Sequence, residues 1–232
     1  MEKNLHKLVW LVLPVVIFLV PYLSRMGGEG ADLYLYGENG WIEILTVVFL
    51  LIAILFGMMF LLLRRVPDHG WVLWWMGMMV LGSIYFAGEE ISWGQHIFGW
   101  EASEYWQSLN DQGETNLHNT GPLFDQVPRT LLSVAALVGG VLVPLYFFLT
   151  NRYPGKESLH YWLWPTYECA PAALFSILVS WHEKVYRVLD VEIPVVLDVR
   201  AGEVKESFLA LFIMVYVMSI WYRSRNLLQQ DS

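Results

Sequence analysis

The chain has 232 residues, of which 56% are hydrophobic, 16% aromatic and only 16% charged, where an average soluble domain carries about 25% charged residues. A mean hydropathy of +0.44 together with 12 tryptophans fits a polytopic membrane protein rather than a soluble core. The net charge of -8 argues against a nucleic-acid partner, and one cysteine, Cys169, excludes an internal disulfide and a cysteine metal cage.

A membrane-crossing helix needs about 20 mostly apolar residues. Six segments qualify, roughly 8–24, 41–63, 71–93, 130–150, 160–182 and 207–223. The first follows Lys3 and Lys7 like a signal peptide. No clear small-x-small cleavage site follows, so it reads as an uncleaved span. Pro14 and Pro21 in the first segment, and Pro165 and Pro171 in the fifth, are tolerated where neighbours satisfy the freed carbonyls. Neither a period-2 strand pattern nor an internal repeat is present. The expected fold is all-α, one membrane domain over 1–232, with a long loop at 94–129 between the third and fourth spans. Gly139-Gly140 in the fourth span reads as a close helix contact.

Basic residues mark the cytoplasmic side of short loops. Arg64 and Arg65 occupy one short loop, and Arg152 and Lys156 the other. This predicts both termini in the cytoplasm and the three long loops outside. Glu89 then lies about 27 Å along the third span, near the outer interface, at 1.5 Å per residue. Glu43, His182, Glu183, Glu203 and Glu206 fall at the same level by the same reasoning.

The stretch 88-GEEISWGQHIFGWE-101 ends the third span with two adjacent carboxylates. If the helix continues through it, Glu89 and His96 share a face, being seven apart. Adjacent glutamates near apolar surface are costly when both are ionised. One should hold its proton, or a cation should neutralise the pair. The plainer reading is a wet helix end whose glutamates face water or pair with Arg129 or Lys184. Further on, Glu114 and His118 are four apart, which places them on one side of a helical turn. That spacing suits an ion, or a base with its orienting partner. Asn116 and Asn119 beside them suit a turn or a helix cap.

His182 and Glu183 close the fifth span, and Glu203 and Glu206 open the sixth. His182 also suits an interfacial anchor beside Trp181. The acids suit a helix N-terminus through the dipole. A site would draw on Glu89, Glu90, Glu114 and His118 for catalysis, and on His96, His118, His182, Glu203 and Glu206 for a metal. Oxygen and nitrogen ligands without thiolate suit a divalent ion such as zinc, iron or manganese. Glu168, between Pro165 and Pro171, reads as a neutral, hydrogen-bonded acid within the fifth span, or as part of a proton or substrate path.

The blocks GEEISWGQHIFGWE and GETNLHN together resemble a pattern in bacterial polytopic membrane proteins, Glu-Glu-Ile-Ser-Trp-Gly-Gln followed by Asn-Leu-His-Asn. The resemblance covers residues 88–119 and implies a bacterial membrane protein, without an activity. The paired helical His-x-x-x-His of the alkaline ceramidase superfamily is absent. Three functions are open from the residues. The first is a membrane-embedded enzyme with an outward-facing Glu/His site acting on a lipid or isoprenoid-type substrate. The second is a non-enzymatic subunit that docks membrane protein partners. The third is a small transporter, less favoured in six helices without a repeat. Membrane lipids are partners in each case, and the bacterial inner membrane is the expected location.

Overall fold

A computed structural model describes residues 5–27, 40–63, 70–109 and 113–228, and every regular element among them is helical. Five helical stretches are long and apolar enough to cross a membrane: Leu8–Arg25, Trp41–Leu63, Gly70–Glu90, Gln126–Thr150 and Val195–Leu227. The protein is therefore an all-α polytopic membrane protein. We label Leu8–Arg25 α1, Trp41–Leu63 α2 and Gly70–Glu90 α3. The continuous helix over 122–150 is α4. The remaining labels are α5 for Ala170–Leu178, α6 for Trp181–Leu189 and α7 for Ala201–Leu228.

The axis of the bundle is α7. Every residue from 207 to 221 is buried, the condition of a helix that is apolar all round and enclosed by others. Helices α1, α2, α3 and α5 touch it, and α2 follows it most closely. Near its start, α7 bonds to α2 through side-chain hydroxyls. The Ser207 hydroxyl donates to the Ile42 carbonyl at 3.0 Å and lies 2.7 Å from the Thr46 hydroxyl. The Gly139-Gly140 contact is present. A Cβ on Gly140 would lie 2.5 Å from the Ala173 Cβ and 2.7 Å from the Phe212 ring, so α4, α5 and α7 meet there at backbone distance.

The predicted fifth span, 160–182, is not one helix. Leu159–Leu163 stops at Trp164, which is extended (φ −75°, ψ 135°). The ring of Pro165 forces that, because it disfavours helical backbone at the residue before it. A 3-10 turn, Tyr167–Cys169, leads into α5, whose first turn holds Pro171. The chain still crosses the bundle here. Glu168 accepts the Leu5 N–H at one end, and Glu183 accepts the Ala201 N–H at the other. The break frees carbonyls in apolar surroundings. The Arg223 guanidinium of α7 takes them up, donating to the carbonyls of Tyr161 and Trp164, and also bonds the Ser219 carbonyl of its own helix. Glu168 is hydrogen-bonded as expected, through Leu5 and Thr166, but in a 3-10 turn and not inside a continuous helix.

Other boundaries also move, including the end of the last helix, at Leu228 instead of 223. The third span ends at Glu90 instead of 93, the fourth helix begins at Pro122 instead of 130, and the last begins at Ala201 instead of 207.

Candidate functional site

Gly88, Glu89 and Glu90 form the last turn of α3. The helix does not continue through Ser92 and Trp93, which have φ of 45° and 55°, and Gly94 follows at 92°. Three successive left-handed residues reverse the local hand of the chain. Trp93 is thereby folded back over α3. Its ring would lie 2.8 Å from a Cβ on Gly88, so only glycine leaves it room. The indole N–H donates to Glu89 Oε1 at 2.8 Å.

This turn presents Ser92 and Gln95 to the second block. The Ser92 hydroxyl donates to Glu114 Oε2 at 3.0 Å. The Asn116 and Asn119 amides donate to the same oxygen at 2.6 and 2.8 Å. Gln95 reaches across with both ends of its amide, donating to the Gly113 carbonyl at 3.1 Å and accepting the Thr115 N–H at 2.7 Å. Thr115 returns a hydroxyl bond to the Ser92 carbonyl at 3.1 Å. Glu89 Oε2 accepts the Leu117 N–H at 2.6 Å. Asn116 Oδ1 accepts the Asn119 N–H at 3.3 Å, which closes a turn, while the 3-10 turn's own cap position, Leu117, makes no side-chain cap bond. The two blocks are thus the two halves of one clasp, with Glu89, Ser92 and Asn116 buried in it.

Two expected geometries are corrected. Glu89 and His96 do not share a helical face, because the left-handed turn lies between them. Glu114 and His118 do not lie on one helical turn: residues 113–117 are irregular, and a 3-10 turn begins at His118. Glu114 is held by side chains instead of by helical periodicity. The side chains of His96 and His118 lie outside the described residues.

Beside the clasp is a cavity of about 390 Å³. Its walls are apolar, with Met79 and Phe86 from α3, Leu132 from α4, and Leu209 and Ile213 from α7. Glu89, Glu90, Arg129 and Glu206 also line it. Arg129 and Glu206 pair at 2.5 Å. Glu90 is within electrostatic reach of Glu206, Glu43, Arg129 and Glu203, so acids from the ends of α2, α3 and α7 do converge.

The other candidates stand in separate roles. His182 Nε2 lies 2.6 Å from the Leu197 carbonyl, so that nitrogen carries the proton. Its Nδ1 lies 3.5 Å from the Tyr22 hydroxyl. Glu203 sits in the first turn of α7 and pairs with Arg200 at 3.4 Å. Among the described residues no three His, Cys, Asp or Glu side chains are gathered closely enough to hold a metal ion. Sequence reasoning passed over Gln95, Thr115 and the pairing of Arg129 with Glu206. The available signal was the density of amide and hydroxyl side chains in both blocks.

Fold and site together define an all-α membrane protein with a polar clasp and a charged, apolar-walled cavity at one end of its bundle. No family model matches the chain, and neither a curated protein nor a solved structure matches it.

Proposed function

We propose that the chain is a membrane-embedded enzyme that takes a lipid or isoprenoid-type amphiphile into the cavity beside the clasp. Glu90 meets the polar end of that substrate as the acid–base group. One observation carries this reading: a single cavity joins an apolar wall long enough for a hydrocarbon tail to Glu90, which makes no hydrogen bond among the described residues, and to the Arg129–Glu206 pair. Ionisable groups at membrane depth generally mark function. Glu89 and Glu114 belong to the clasp and position the cavity mouth, since their oxygens accept from Trp93, Leu117, Ser92, Asn116 and Asn119.

The test is lipid analysis of a deletion strain complemented with wild type or with Glu90→Gln. Removing a general acid or base lowers rate by about 100-fold or more. Glu90→Gln should fold with near-normal thermal stability and fail to restore the lipid profile. Full restoration by Glu90→Gln would sink the assignment.

In the orientation we propose, the bacterial inner membrane holds the chain with the clasp outside. A cysteine placed at Ser108 should then react with an impermeant reagent added to whole cells, and one at Glu157 should not. The reverse pattern would put the clasp in the cytoplasm.

A second reading, an integral subunit of a larger membrane complex, is favoured by the segment between the two blocks. Tyr105 there, with Phe98 and Trp100 at the end of the first block, is exposed, and the three suit docking. Co-purification of a stoichiometric partner that is lost in Phe98→Ser, with Glu90→Gln silent, would favour it over the enzyme.

A further inference from the structure

The charges in the cavity define the head group it accepts, an inference that rests on the enzyme reading above. Four charged side chains line the cavity: Glu89, Glu90, Arg129 and Glu206. Glu89 has one oxygen on the Trp93 indole and the other on the Leu117 N–H. Arg129 is drawn to Glu206 at 2.5 Å, so those two charges largely offset each other. Glu90 remains, with Glu43 and the Arg200-paired Glu203 in electrostatic reach from outside the cavity, and Lys205 in reach of Glu206 and Arg129.

A phosphate, pyrophosphate or carboxylate head entering this space would meet the acidic side chains of Glu89, Glu90 and Glu206. Its sole cationic partner among the described lining residues is already engaged. Like charges brought together out of water repel strongly. A cation meets the opposite balance. Aromatic residues near Glu90 also line the cavity, namely Tyr85, Phe86 and Phe124, and such rings attract ammonium groups.

We propose that the cavity binds a long-chain amine, its ammonium group against Glu90 and its hydrocarbon tail along Met79, Leu132, Leu209 and Ile213. The Glu90 carboxylate supplies the counter-charge. The Arg129–Glu206 pair closes the polar end.

The experiment uses the full chain in phosphatidylcholine nanodiscs with a photoreactive long-chain alkyl probe, its adducts mapped by mass spectrometry. Dodecylamine, dodecanol and dodecyl phosphate, which share one tail, compete for labelling. Dodecylamine should displace the probe from α3 and α7 residues of the cavity at about tenfold lower concentration than dodecyl phosphate, the preference expected of one desolvated ionic contact. Glu90→Gln should abolish that preference and leave competition by dodecanol unchanged, and Glu90→Asp should retain it. If Glu90→Gln does not fold, the order of the three competitors on wild type and Glu90→Asp decides the matter. Equal competition by all three heads, or stronger competition by the phosphate, overturns the amine assignment while leaving an amphiphile site in place. Absence of any adduct in the cavity overturns the amphiphile reading itself.

Discussion

Glu114→Ala should destabilise the protein by about 3 kcal/mol and free the segment around residue 105 to proteases well below global unfolding. One carboxylate oxygen accepts from Ser92, Asn116 and Asn119 at 2.6–3.0 Å. Hydrogen bonds to a charged acceptor contribute about 1.5–3 kcal/mol each, and a buried donor left alone has a desolvation penalty of about 1–3 kcal/mol. The three bonds share an acceptor, so their effects do not add. The double variant Glu114→Ala/Asn119→Ala should therefore lose little beyond Glu114→Ala alone, with a coupling of about 1 kcal/mol or more between the sites. Glu89→Gln should also be severe despite its conservative shape. Both Glu89 oxygens accept from N–H donors, and an amide must turn an NH₂ toward one of them. Thermal unfolding in detergent, run beside limited proteolysis, measures both effects. A Glu114→Ala protein with wild-type melting and an uncut loop would show that the clasp holds nothing.

Arg223→Leu is the second large effect, at the opposite end of the bundle. The guanidinium donates to the Tyr161, Trp164 and Ser219 carbonyls and to the Ser219 hydroxyl, and its cationic face lies 5.3 Å from the Tyr161 ring centre. Leucine matches the apolar surroundings but supplies no donor, so the carbonyls released by the break at Pro165 are left without Arg223. At membrane depth each unsatisfied backbone group is expensive, and the expected loss is about 2–4 kcal/mol. Arg223→Lys should recover only part of it, because one ammonium cannot reach all of those oxygens in a single fork. Equal stability of Arg223→Leu and wild type would mean that water or lipid headgroups satisfy the break.

The spans were legible where apolar length alone decides them. Trp41–Leu63 agrees with the sequence at both ends, and α1 differs from its predicted segment by one residue at its C-terminal end. The fifth span misled because hydropathy does not register that Trp164 precedes a proline. The two prolines had been read as tolerated interruptions, and Pro165 is a true break. The central place of α7 was not legible either. Burial against protein and burial against lipid select the same apolar residues, so composition does not separate an axial helix from a peripheral one. The clasp was legible as two unusual blocks but not as one object. The bonds that join its two halves link residues about 20 positions apart in the chain, whereas helical spacing speaks only to neighbours three or four apart. The extrapolated helix through His96 failed at Ser92 and Trp93, two residues that seldom take positive φ. Gly94 was the one local hint.

The left-handed turn at Ser92 and Trp93 makes the helix end a loaded spring. Residues of this kind at positive φ carry about 1–3 kcal/mol each of conformational strain, held by bonds from the second block to Ser92 and by the Trp93 indole on Glu89. Left to its own preferences, the segment would wind on as a right-handed helix and carry Trp93 off Gly88 and Glu89. Detaching the second block therefore does more than loosen a loop. It lets α3 grow by about a turn, withdraws the indole N–H from Glu89, and redraws the wall of the cavity to which Glu89 and Glu90 belong.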